Sequence, residues 1–111
     1  MDLERLEEAF EDDTTGIADL LDMALETGAK HRRALAEGLA ANDVEVVRRA
    51  AHSIKGSAGN IGANEVMRLA AELDERARAG DLSDARPRID AIAAAYDQVA
   101  GEIRAYRASL T

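Results

Sequence analysis

Apolar residues recur along this chain at helical spacing, in five runs separated by capping and turn signals. The first run is short. Leu3, Leu6 and Phe10 share one face and predict a helix over about residues 2–10, before the stretch EDDTTG interrupts it. Thr14 or Thr15 is the expected N-cap of a second helix over about residues 15–40. Its stripe is Ile17, Leu20, Leu21, Ala24, Leu25, Leu35 and Leu39, and Gly28 inside it marks either a close approach or a weak spot. A third helix, over about residues 43–61, starts at Asn42 or Asp43 and carries Val47, Ala51, Ile54, Ala58 and Ile61 at 4-3-4-3 spacing. Gly62 ends it as a left-handed residue. Asn64 is the expected cap of a fourth helix over about residues 64–79, with Val66, Leu69, Ala70, Leu73 and Ala77 facing inward and Gly80 closing it. The fifth run, over about residues 84–109, is the most regular: Ile89, Ile92, Tyr96, Val99, Ile103, Tyr106 and Leu110 alternate at spacings of three and four. Asp81 or Ser83 is its expected cap, and Pro87 predicts a kinked or late start because it lacks a backbone donor.

Four amphipathic helices joined by short connections predict an all-α, antiparallel four-helix bundle, with the short additional N-terminal helix covering one end. Composition agrees. Hydrophobic residues are 47% of the chain but aromatics only 3%, and there is one proline. Small and medium side chains suit close helix packing, and no β-branched run supports a sheet. A chain of 111 residues without a long linker or internal repeat reads as a single domain over 1–111.

Charge and cysteine usage exclude several functions. There are no cysteines, so disulfides, iron–sulfur clusters and thiolate zinc sites are ruled out. Two histidines without an H-E-x-x-H arrangement give no metal site. No apolar run approaches the roughly 20 residues that cross a bilayer, and the acidic start MDLERLEEAFEDD is unlike a basic secretion signal. A cytoplasmic location is expected. A net charge of −8 argues against nucleic acid.

The candidate chemistry lies in the third helix. His52 is one residue off the apolar seam. At about 100° per residue, its neighbours one turn away are Arg48, Arg49, Lys55 and Gly56, with Gly59 a further turn along the same face. A neutral imidazole is a good nucleophile near neutral pH. Cations beside it stabilise an anionic group placed on it. Two glycines inside a helix cost about 2 kcal/mol relative to alanine, and their position on the histidine's face suits the approach of another molecule. Arg48 and Arg49 have a plainer alternative, pairing with Glu45 or with acids on adjacent helices. No second histidine, cysteine or carboxylate pair completes an enzyme-like constellation. His31 reads as a surface or boundary residue, and Met23 and Met67 as core or boundary fillers.

The segment His52-Ser53-Ile54-Lys55-Gly56-Ser57-Ala58-Gly59-Asn60-Ile61-Gly62-Ala63 resembles the signature of histidine-containing phosphotransfer (HPt) domains: His-x-x-Lys-Gly, small residues, then an aliphatic–Gly pair. The helical layout is similar along nearly the whole chain. The resemblance implies that His52 is the phosphoacceptor, modified on Nε2, and that Lys55 balances the phosphoryl charge. It implies that Gly56 leaves room for the partner, with Gly59 helping and Ser57 hydrogen-bonding locally. Arg48 and Arg49 lie outside the family's core motif and enter only as cations suited to a partner's acidic pocket. The implied partner is a response-regulator receiver domain, free or attached to a hybrid histidine kinase. It would bring the phosphorylated aspartate and the Mg²⁺, so this chain binds no cofactor or metal itself. The chain would be a phosphocarrier without an ATP site, and a monomer. Two other readings stand beside this one. The first is the phosphoacceptor domain of a chemotaxis-type histidine kinase, against which the initiator Met1 and a bundle ending at residue 111 speak. The second is a binding module that occupies receivers without carrying phosphate.

Overall fold

The computed structural model describes residues 1–110; Thr111, the last residue of the expected domain, lies outside them. The described residues form five helices and no strand: α1 Leu3–Ala9, α2 Thr14–Ala40, α3 Val44–Asn60, α4 Asn64–Arg78 and α5 Ala85–Ser109. Helices α2 to α5 make the antiparallel bundle, each packed on its neighbour in sequence and α5 closing back onto α2. The short helix α1 lies over the α3–α4 end. The Asp2 amide donates to the Ile61 carbonyl at 3.3 Å, and Arg5 Nη2 donates to the Gly59 carbonyl at 3.1 Å.

The helix starts are set by aspartates. Asp2, Asp13 and Asp43 each accept from the backbone amide three residues on: Arg5 at 3.0 Å, Gly16 at 3.2 Å and Val46 at 3.2 Å. Each satisfies one of the orphan donors of a helix N-terminus. Thr14 and Thr15 are therefore not the cap of α2 but its first residues, because Glu11 and Asp12 adopt left-handed φ of 51° and 63° and deliver Asp13 to the capping position. Nor does Asn64 cap α4. The left-handed Gly62 (φ 69°) turns the chain so tightly that only Ile61, Gly62 and Ala63 link the helices, and buried Ala63 occupies the cap position without a side-chain bond.

At the start of α5, Asp81 and Ser83 bond each other instead of capping: the Ser83 amide and hydroxyl donate to Asp81 Oδ1 at 2.9 and 2.6 Å. Asp84 holds the cap position, with its Oδ2 taken by Arg88 Nε at 2.9 Å. Pro87 is the third residue of α5, where a missing amide leaves no intrahelical bond unmade. Of the kinked or late start expected at Pro87, the late start is what occurs: α5 begins at Ala85, later than a cap at Asp81 or Ser83 would give, and continues as helix to Ser109.

The predicted stripes make the core. Ile17, Leu21, Leu35, Val47, Ile54, Ile61, Val66, Leu73, Ile92 and Ile103 are fully buried. Two expectations fail at the margin. Met23 is 63% exposed rather than a filler, and Leu110, the last residue of the α5 stripe, is 43% exposed beyond the helix end. Met67 packs half-buried against the core, as expected. Gly28 marks a close approach. A Cβ there would lie 2.5 Å from Cε1 of Tyr96, whose ring is buried. Gly28→Ala is therefore expected to lower stability. Overpacking a tight contact costs about 1–3 kcal/mol, more than the gain in helix propensity of about 1 kcal/mol. A lower urea midpoint with unchanged slope would show it; a raised midpoint would contradict the close packing.

Candidate functional site

Helix α3 carries the site because its core seam holds one side of it rigidly. Ala51 and Ile54 are fully buried on either side of His52, and the ring itself is 56% exposed. Its Nδ1 faces Oδ2 of Asp74 on α4 at 3.3 Å. Asp74 is the one buried charged residue among the described residues, 3% exposed, and its Oδ1 accepts from Arg78 Nε at 3.1 Å. A carboxylate can only accept from neutral imidazole, so this contact puts the ring proton on Nδ1. The lone pair then sits on Nε2, at the outward edge of the ring.

Asp74 was not singled out in the sequence. It carried one readable signal: it falls four residues after Ala70 and three before Ala77, on the inward face of α4. An acid on an apolar seam calls for a partner. Which partner depends on how α3 and α4 pack.

Gly56 is next to His52 on the exposed face, and a Cβ there would meet nothing within 4 Å. The space in front of it is open. Gly59 differs from the expectation. A Cβ at Gly59 would lie 3.3 Å from Met67 Sδ, and its carbonyl is held by Arg5. Gly59 thus serves the contact of α3 with α4 and α1, since the α4 side chains lean over that flank of the helix, rather than clearing the approach to His52.

The three expected cations also divide. Arg48 donates to Glu45 through Nη2 at 2.5 Å and Nε at 3.1 Å, and Arg49 Nε donates to the same carboxylate at 3.1 Å. The Arg48 hydrogen bond and charge, aided by Arg49, hold the Glu45 carboxyl down to about 2. Arg48 and Arg49 are thus partly neutralised by an acid of their own helix, as one turn of spacing allows. Lys55, half-buried at the next turn from His52, forms no ion pair with a described residue. Ser57 donates to the carbonyls of Ser53 and Ile54 at 3.1 and 3.3 Å, the local bonding expected of it. With Asn60, Thr27 and the exposed Met23 it borders a groove of about 150 Å³ between α2 and α3. His31 is half-buried on α2, and burial with the adjacent Lys30 lowers its pKa.

No cluster of three or more acidic, histidine or cysteine side chains suited to a metal occurs among the described residues. No described helix is long and apolar enough to cross a membrane.

The arrangement has close relatives. The family model of the Hpt domain matches residues 19–102. The crystal structure of histidine-containing phosphotransfer protein B (HptB) from Pseudomonas aeruginosa PAO1 superposes with a TM-score of 0.88 at 31% identity, covering 96% of this chain and 90% of that one. No curated protein matches at the sequence level. The matched span takes in α3 with His52 and α4 with Asp74, and the fold is shared along almost the full length: the chain belongs to the Hpt-domain family.

Proposed function

We propose that the chain, a histidine phosphotransfer protein of phosphorelay signalling, carries the phosphoryl group on Nε2 of His52 between the aspartates of receiver domains. One observation carries this: the His52 ring is tied at Nδ1 to a buried carboxylate while its other edge stands exposed beside Gly56, with open space in front. A tethered ring presents one nucleophilic nitrogen in one orientation, which is most of what phosphoryl transfer asks of a protein.

The receiver brings its phosphorylated aspartate and Mg²⁺; this chain supplies the nucleophile and part of the electrostatics. Nε2 attacks phosphorus in line as the bond to the receiver's carboxylate oxygen breaks. The ring becomes an imidazolium whose Nδ1–H faces Asp74, and Lys55 offsets charge on the phosphoryl oxygens. The partner is a response-regulator receiver or that of a hybrid histidine kinase. Arg48, Arg49 and Ser57 border the docking face. In this role the chain works in the cytoplasm as a monomer, a phosphocarrier rather than an enzyme acting alone.

Incubation with a phosphorylated receiver is expected to yield an acid-labile, base-stable label that peptide mapping locates at His52. A label on another residue, or none with any receiver of the source organism, refutes the proposal. Gly56→Leu tests the open space. The variant is expected to keep its helical circular dichroism, since leucine is the better helix former, while transfer slows by about tenfold or more through lost approach geometry. Unchanged transfer would remove Gly56 from the site.

A further inference from the structure

We infer that Arg78 is a positioning residue for the phosphohistidine: by holding one oxygen of Asp74 it limits the negative field on the His52 ring, and so sets the pH range over which the phosphoryl group leaves readily. The inference rests on His52 being the phosphoacceptor.

Asp74 has two oxygens and two partners on opposite sides. Oδ2 faces His52 Nδ1 at 3.3 Å and Oδ1 faces Arg78 Nε at 3.1 Å. The carboxylate is almost wholly shielded from water, so its own charge acts on both half-exposed partners with less screening than a surface acid would have. When the phosphoryl group leaves, the Nε2–P bond breaks and its electron pair returns to Nε2. With a proton on Nδ1 the leaving group is neutral imidazole. Without it the leaving group would be an imidazolide anion, a far poorer one. The exit rate therefore follows the fraction of phosphohistidine that keeps its Nδ1 proton. An anion beside Nδ1 raises that fraction at a given pH, and a cation lowers it. Asp74 does the first and Arg78, bonded to it, moderates it.

Arg48 on α3 also acts on the Asp74 charge, but through space and without a hydrogen bond to it. On α3, Arg48 and Arg49 share Glu45, and Lys55 makes no ion pair with a described residue. On α2, His31 lies by the other flank of α3, beside Arg49 and Ser53, with Lys30 next to it. From α5, Arg88 is taken by Asp84 and Glu72 on the far side of α4. From α1, Arg5 is bonded to the Gly59 carbonyl. Among the described residues, Arg78 alone, besides His52 itself, is bonded to the carboxylate that touches the ring.

The test compares the full chain with Arg78→Gln and Arg78→Lys. Each is phosphorylated with phosphoramidate, and the His52 ring is titrated by NMR with and without phosphate. The hydrolytic lifetime of the phosphohistidine is followed against pH, water being the acceptor. Arg78→Gln is expected to raise both titration midpoints by about half a unit to one unit. Above the midpoint, hydrolysis then speeds by about three- to tenfold, and below it the rates converge; Arg78→Lys stays near the parent. Arg78 is 55% exposed, so the fold should tolerate both changes; circular dichroism checks this. Unchanged or lowered midpoints in a folded Arg78→Gln chain overturn the inference. A phosphoryl group found elsewhere than His52 overturns the functional proposal instead, and the titration of the unphosphorylated ring still tests the effect of Arg78 on it.

Discussion

A His52→Gln chain is expected to fold as the parent does and to take up no acid-labile, base-stable phosphoryl label. The ring is 56% exposed and lies outside the core, so its loss opens no cavity. Glutamine also carries an amide N–H that can reach the Asp74 carboxylate. The buried acid then keeps a donor in addition to Arg78, and the penalty for an unsatisfied buried group is avoided. Stability should stay within about 0.5 kcal/mol of the parent, measured by urea denaturation. Transfer should fall to background, because an amide nitrogen has no free lone pair comparable to Nε2. Labelling from a phosphorylated receiver, followed by acid and base treatment, separates the outcomes. A label that survives the substitution would sink the assignment of the site.

The second large effect is expected at Asp74. Asp74→Asn should slow phosphoryl transfer by about ten- to a hundredfold, the usual loss when a group that orients a functional imidazole is removed. Two physical effects act together. An asparagine can accept from Nδ1–H through its oxygen or donate to bare Nδ1 through its nitrogen. The second arrangement moves the ring proton to Nε2, where the phosphoryl group must form. The amide also lacks the charge that stabilises the imidazolium produced by transfer. Shape is nearly conserved, so helical content and urea midpoint should change little beside the loss in rate. Single-turnover transfer at saturating receiver, set against receiver affinity, checks the cause: the chemical step slows while Kd holds. If transfer keeps the parent rate, the His52–Asp74 contact has no role in the chemistry.

The legibility of the fold differed from helix to helix for identifiable reasons. The stripes of α3 and α5 were plain because spacing of three and four is a property of one helix and needs no neighbour. Helix starts were legible only to within a residue or so. Asp13, Thr14 and Thr15 are all chemically able to cap, and the left-handed Glu11 and Asp12 decided among them. Pro87 left a kinked or a late start open, and the start at Ala85 puts it in the first turn, where its missing donor is not needed. Gly28 left two readings open until Tyr96, from α5, proved to fill the space against it.

The site divided along the same line. By itself the sequence determined that His52, Lys55 and Gly56 stand within one turn of each other, just off an apolar seam, on a chain built to form a helical bundle. These are relations between residues three and four apart, and helix geometry alone sets them. It also allowed, without deciding it, that Arg48 and Arg49 pair with Glu45 one turn away. Only the tertiary structure decided that Asp74 meets the ring, that Met67 covers Gly59 and that Arg78 shares the buried carboxylate. The first two contacts join α3 to α4. They depend on the rotation and height of one helix against the other, which the packing of the whole core sets at once. The third is one turn of α4, and it gains its meaning only because the first buries Asp74 against the histidine.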